Sequence, residues 1–263
     1  MRSSAKAPPY STVSVRARRL PAGREEDDLV AVEEPLEIRI EGEPVAVTMR
    51  TPGNDEELAL GFCLTEGLGP ISARLPDDLA ANTIDVEVSS FDPERLRRHF
   101  YTSSSCGVCG KGAIEAVSVE SPVVESPLRM PADIVASLPD RLREEQQAFA
   151  VTGGLHATGL FTSGGDLVCV REDVGRHNAM DKVIGWAFLE RLLPLAGHAL
   201  CVSGRLSFEL VQKAALAGCP VLAAVGAPSS LAVELASDRG ITLCGFVRDG
   251  RLTVYTEPWR IAG

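Results

Sequence analysis

The chain has 263 residues, 45% hydrophobic and 24% charged, enough to bury a substantial core as one large domain or two modest lobes. Its formal net charge of -10 argues against diffuse attraction to nucleic acid or an anionic membrane, yet leaves room for a local basic pocket. There is no apolar h-region at the start and no apolar run of membrane-spanning length. The seven cysteines, at 63, 106, 109, 169, 201, 219 and 244, follow no disulfide-framework rhythm. The expectation is a soluble protein of a reducing, cytoplasmic compartment, with neither nucleic acid nor membrane as partner.

Residues 1–27 read as a disordered basic tail, rich in Pro and Ser, running into the acidic cluster Glu25 to Asp28 with little to anchor it to a core. "LEIRIEGEPVAVTM" alternates as two antiparallel strands turning near Glu41 and Gly42. In "NDEELALGFCLTEGL", Asn54 stands at a helix N-cap, acids fill the first turn and Gly67 follows the end. "TIDVEVSSF" alternates as a strand. Residues 28–125 are therefore expected to form a small α+β lobe that also carries "TSSSCGVCGKG", residues 102–112.

Beyond residue 125 the pattern changes. "PADIVASL" and "RLREEQQAFAV" carry helical periodicity. Strand-like "LVCVRED", "ALCVSG", "PVLAAVG" and "ITLCGFV" then alternate with helical "NAMDKVIGWAFLERLL", "SFELVQKAALAG" and "SSLAVELASDRG", before a hairpin "RDGRLTVYT" turning on Asp249 and Gly250. Continuous apolar strands between amphipathic helices signal a mostly parallel sheet covered on both faces, so residues 126–263 are expected to form an α/β lobe.

In such sheets ligands collect at the carboxyl ends of strands. Those ends carry Ser203-Gly204-Arg205-Leu206-Ser207, Gly226-Ala227-Pro228-Ser229-Ser230 and Arg248-Asp249-Gly250-Arg251. Glycines admit a phosphate to the backbone, serines add hydroxyl donors, and arginines supply a fork of charge-assisted donors. Equally, Ser207 and Ser229 or Ser230 serve as N-caps and the glycines as turn residues. A fourth strand end packs Arg171, Glu172, Asp173, Arg176 and His177 together. It reads either as a solvated loop of paired charges or as a site that handles a polar ring or a proton; Asn178 with Asp181 resembles a capping pair.

Cys106 and Cys109 form one C-x-x-C. Zinc needs about four ligands, and there is no second C-x-x-C or H-x₃₋₅-H, so no structural metal is expected. A zinc deaminase carries H-x-E with P-C-x-x-C, but in "LHATG" Thr158 stands where that Glu belongs. The glycine- and serine-rich setting suits a loop thiol that visits two partners, and Lys111 favours its thiolate. Composition alone does not separate a carrier thiol from a disulfide switch.

"TSSSCGVCGKGAIE", "EDVGRHNAMDKVIG", "SGRLSFELVQKAALAGCPVLAAVGAPSSLAVELA" and "GITLCGFVRDGRLTVYT", in that order, resemble the FdhD/NarQ family of formate dehydrogenase accessory proteins, from about residue 30 to the C-terminus. The resemblance implies a cytidine deaminase-like α/β lobe, with "LHATG" a relic of the deaminase H-A-E, and a homodimer. It implies a sulfurtransferase that takes sulfur from a cysteine desulfurase as a persulfide on Cys106, with Cys109 as a second, assisting thiol. The acceptor it implies is the molybdenum cofactor, as bis(molybdopterin guanine dinucleotide), before insertion into formate dehydrogenase. The implied cofactor-binding segment is Phe246, Val247, Arg248, Asp249, Gly250 and Arg251. A thiol-disulfide oxidoreductase and a non-catalytic cofactor chaperone are the alternatives.

Overall fold

The computed structural model describes residues 10–75, 82–89 and 119–263. Two stretches within the expected tail are ordered. Strands β1 (Thr12–Arg19) and β2 (Arg24–Ala31) form an antiparallel ribbon. Across the strands, Arg16 meets Glu25 and Asp27, and Arg19 meets Glu26 and Asp28. The basic stretch and the acidic cluster, which look like separate solvated runs, are cross-strand partners.

β3 (Glu34–Ile40) and β4 (Glu43–Arg50) pair through the anticipated turn, with φ of 52° at Glu41 and 84° at Gly42. Positive φ at both central positions matches the twist of the flanking strands. α1 (Asp55–Thr65) follows. Asn54 stands at its start but in the left-handed region, with no side-chain cap bond. β5 (Pro70–Arg74) and β6 (Thr83–Val88) complete a sheet in the order β4-β3-β6-β5, and Leu36, Ile38, Ile40, Ile84 and Val86 pack with Leu58 and Leu60 of α1.

β7 (Met130–Pro131) leads into α2 (Ala132–Glu145) and α3 (Gln147–Thr152). The larger sheet comprises β8 (His156–Thr162), β9 (Leu167–Asp173), β10 (His198–Val202), β11 (Val221–Ala224), β12 (Thr242–Arg248) and β13 (Arg251–Val254), in the order β13-β12-β11-β10-β8-β9. Its central three strands are parallel, whereas β8 runs antiparallel to both its neighbours and β13 antiparallel to β12. Strand β8 broke the expected strand–helix alternation, because "HATGLFT" opens on small and polar residues that carry no period-2 signal.

Alternate residues of each strand divide between two cores. Leu200, Val202, Leu222, Ala224 and Leu243 pack under α4 (Arg176–Leu189), α5 (Phe208–Leu216) and α6 (Ser230–Asp238). On the other face, Ala199, Cys201, Val221, Ala223 and Cys244 meet Val135, Leu138 and Leu142 of α2. The mixed α/β class is as expected, and a short β14 (Ile261–Ala262) pairs with β7. Among the described residues no helix is long and apolar enough to cross a membrane.

The two sheets are joined mainly by α1 crossing α4, where Gly61 and Gly185 face each other's backbones. Polar contacts flank the crossing. Arg171 forks onto Glu57 at 2.5 and 2.7 Å, and Lys182 Nζ donates to the Thr51 carbonyl at 2.8 Å and pairs with Asp173 at 2.7 Å. Lys213 Nζ reaches Asp181 and the Thr65 hydroxyl, each at 2.8 Å.

Candidate functional site at the strand ends

β9, β10, β11 and β12 point one way and β8 the other, so four carboxyl ends and the amino end of β8 share one edge. The turns there are laced together. Ser203 N–H donates to the Ala157 carbonyl at 3.0 Å, Gly226 N–H to Gly204 at 3.0 Å, and Phe246 N–H to Gly226 at 3.1 Å. The Ser203 hydroxyl accepts from Ala157 N–H at 2.9 Å. A Cβ on residue 226 would lie 2.9 Å from the Gly204 carbonyl oxygen, so glycine permits this approach. Between these turns and the α2–α3 junction lies a cleft of about 580 Å³, lined by Arg143, Gln146, Phe149, His156, Ser203 and Arg248 among others. That volume lies in the usual range of small-molecule sites.

The segment Phe246 to Arg251 divides by position. Val247 and Arg248 both line the cleft, although Val247 is otherwise part of the core. A bulge between Gly245 and Arg248 places Phe246 at φ 52° with its ring partly exposed. Phe246, Arg248, Asp249 and Arg251 border a second concavity of about 420 Å³. Asp249 and Gly250, at φ 53° and 70°, form the hairpin turn. Cys106 and Cys109 lie outside the described residues.

The charged junction after β9 is largely structural. Arg171 is occupied by Glu57. Glu172 accepts the N–H groups of Ala148 and Phe149 at 2.9 and 2.8 Å, anchoring α3; burial pushes this carboxyl up, and those N–H groups pull it back down. Asp173 is fully buried and accepts from Thr51 N–H, Gly175 N–H and the Asn178 amide. Asn178 and Asp181 do not cap α4. Asn178 donates to the Met49 carbonyl of β4, and Asp181 accepts from Thr65 at the end of α1 and pairs with Lys213 of α5.

Arg176 and His177 are left for the edge. His177 Nε2 lies 3.4 Å from Ser207 Oγ and 3.8 Å from Glu209. Its contact holds the Glu209 carboxyl down at about 2. Ser207 occupies the start of α5 without making a cap bond, whereas Ser229 does cap α6, accepting Ala232 N–H at 3.2 Å.

Burial holds the His156 imidazole below its ordinary range, and the Arg176 charge lowers it further against the pull of Asp173. These surroundings favour the neutral form of the imidazole beside the cleft. Arg176→Gln removes a repelling charge and is expected to raise the His156 pKa, read by NMR titration of the imidazole; an unchanged or lower value contradicts this electrostatic picture. Thr158, in the place of a deaminase's Glu, is fully buried, and its hydroxyl lacks a partner in the structure.

All five described cysteines are buried. Burial pushes the thiols of Cys63, Cys169, Cys219 and Cys244 up to about 12, and that of Cys201 upward as well. None offers a thiolate near neutral pH.

Over residues 31–262 the sequence matches the FdhD/NarQ family. The chain belongs to the FdhD/NarQ family. It is 49% identical to the sulfur carrier protein FdhD of Mycobacterium tuberculosis, covering 96% of this chain and 99% of that one. It is also 49% identical to the FdhD of Streptomyces coelicolor, covering 89% of each. The FdhD of Sulfurisphaera tokodaii is 43% identical, with 90% of this chain and 92% of that one covered. The fold superposes with a TM-score of 0.77 on a crystal structure described as a formate dehydrogenase accessory protein from Desulfotalea psychrophila, at 26% identity, covering 96% of this chain and all of that one.

The family match begins within β2, so most of the β1–β2 ribbon lies beyond it. Sequence reasoning missed the α2–α3 wall of the cleft. "RLREEQQAFAV" has one continuous helical period, yet Gln146, at φ -78° and ψ 76°, breaks it and turns Phe149 toward the cleft.

Proposed function

We propose that this protein is the sulfur carrier of formate dehydrogenase maturation, loading sulfur from a cysteine desulfurase onto Cys106 and passing it to the molybdenum cofactor, as bis(molybdopterin guanine dinucleotide), in the cytoplasm. Its relatives carry the name sulfur carrier protein FdhD. The observation that carries the cysteine assignment is the inertness of the other thiols: with five of seven buried and held protonated, the C-x-x-C is where the sequence keeps its reactive sulfur.

The Cys106 thiolate attacks the terminal sulfur of the desulfurase persulfide, the desulfurase thiolate leaves, and Cys106 becomes the persulfide. Handing that sulfur on as sulfide requires two electrons. Attack by the Cys109 thiolate on the inner sulfur supplies them, leaves a Cys106–Cys109 disulfide, and a cellular dithiol then restores both thiols. The cleft with Arg248, Ser203 and the glycine turns suits the phosphate-bearing acceptor.

Incubation with a cysteine desulfurase and cysteine is expected to add one sulfur atom by intact mass, and Cys106→Ala to abolish it. Arg248→Ala is expected to weaken guanine nucleotide binding while loading proceeds. A sulfur adduct undiminished in Cys106→Ala sinks the proposal.

A further inference from the structure

The cleft contains one group with an unmet chemical need. Gln146 is only 4% exposed and lines the cleft, and its side-chain Nε2 has no hydrogen-bond partner. Its backbone is satisfied: N–H donates to the Arg143 carbonyl at 3.3 Å, and its carbonyl accepts Ala150 N–H at 3.0 Å. A buried amide donor left unpaired is costly, and such groups in native structures usually wait for a ligand or a bound water. Beside it stands a flat wall, with the Arg143 guanidinium 3.9 Å from the centre of the Phe149 ring. That wall is built rather than incidental, since Glu172 fixes the backbone N–H of Phe149 from β9.

A planar wall, a sheltered amide donor and the Arg248 cation in one cleft match the three parts of a nucleotide: a ring to stack, a ring acceptor to read and a phosphate to hold. From this we infer that Gln146 is the specificity residue of the cleft, its Nε2 donating to the 6-carbonyl of a 6-oxopurine stacked by Phe149 and Arg143. Adenine carries an amino donor at that position, so it would leave Gln146 unpaired. The inference rests on the reading of this cleft as the site of the guanine-bearing substrate, and it assigns the base-reading role to one residue.

The full-length protein is titrated by calorimetry with GDP, IDP and ADP. GDP and IDP share the 6-carbonyl and are expected to bind alike, with ADP about tenfold weaker, the size of one buried hydrogen bond. Gln146→Leu is expected to remove the preference by weakening GDP to the level of ADP. Gln146→Glu, which replaces the donor with acceptors, is expected to favour ADP. Gln146→Leu is not expected to melt below the wild type by more than a few degrees, because Nε2 has no partner to lose, and it therefore carries the test if the buried carboxylate of Gln146→Glu lowers stability. A GDP-to-ADP ratio unchanged in both variants overturns the inference alone, leaving the cleft as a nucleotide site read by other groups. No binding of any of the three nucleotides by the wild type overturns the cleft reading and this inference together.

Discussion

Gly185→Ala is expected to destabilise the protein by about 3 kcal/mol, the upper end of ordinary overpacking, although alanine is the better helix former. Propensity alone would favour the variant by about 1 kcal/mol in the interior of α4. Sterics reverse the sign. A Cβ there would lie 1.8 Å from the carbonyl oxygen of Glu57 and 2.6 Å from its carbon, and a Cβ on Gly61 would lie 1.9 Å from the carbonyl oxygen of Asp181. The obstacles are backbone atoms of the facing helix, so no rotamer change makes room. Separation of α1 from α4 would also stretch the Arg171–Glu57 pair and the Thr65–Asp181 hydrogen bond that flank the crossing. Chemical denaturation measures it, and a midpoint equal to or above wild type shows the crossing to be looser than described.

Lys213→Met is expected to cost about 3–5 kcal/mol, the usual penalty for removing one partner of a buried ion pair. Lys213 and Asp181 are 6% and 2% exposed, and the Lys213 Nζ touches both carboxylate oxygens and the Thr65 hydroxyl. Methionine fills similar space, so the loss is electrostatic: the buried carboxylate of Asp181 is left without its cation. The double variant Asp181→Leu, Lys213→Met removes the stranded charge and is expected to recover most of the stability. A double variant as unstable as the sum of the two singles would contradict this coupling.

Both of these sites were present in the sequence without being readable there. "EDVGRHNAMDK" shows its charges plainly, and they look like a catalytic cluster or a solvated loop. Their partners decide between the two, and those partners stand far away in the chain: Asp173 is 122 residues from Thr51, and Asp181 is 116 from Thr65. The ribbon of residues 12–31 is a milder case, since its basic and acidic runs become legible only once they are aligned across two strands.

What the sequence determined by itself was local in cause. Turns that demand positive φ, at Glu41-Gly42 and Asp249-Gly250, were readable because the requirement falls on the residues that form them. Most helices and strands were readable because their period is written in consecutive residues, and the family was readable because its motifs are contiguous. Tertiary structure alone decided which charges are consumed as welds between the two sheets, that Asn178 and Asp181 bridge rather than cap, and that the helix breaks at Gln146. The physical reason is the same in each case. A buried polar group is defined by the partner it finds or lacks, and that is fixed by packing, not by neighbours in the chain.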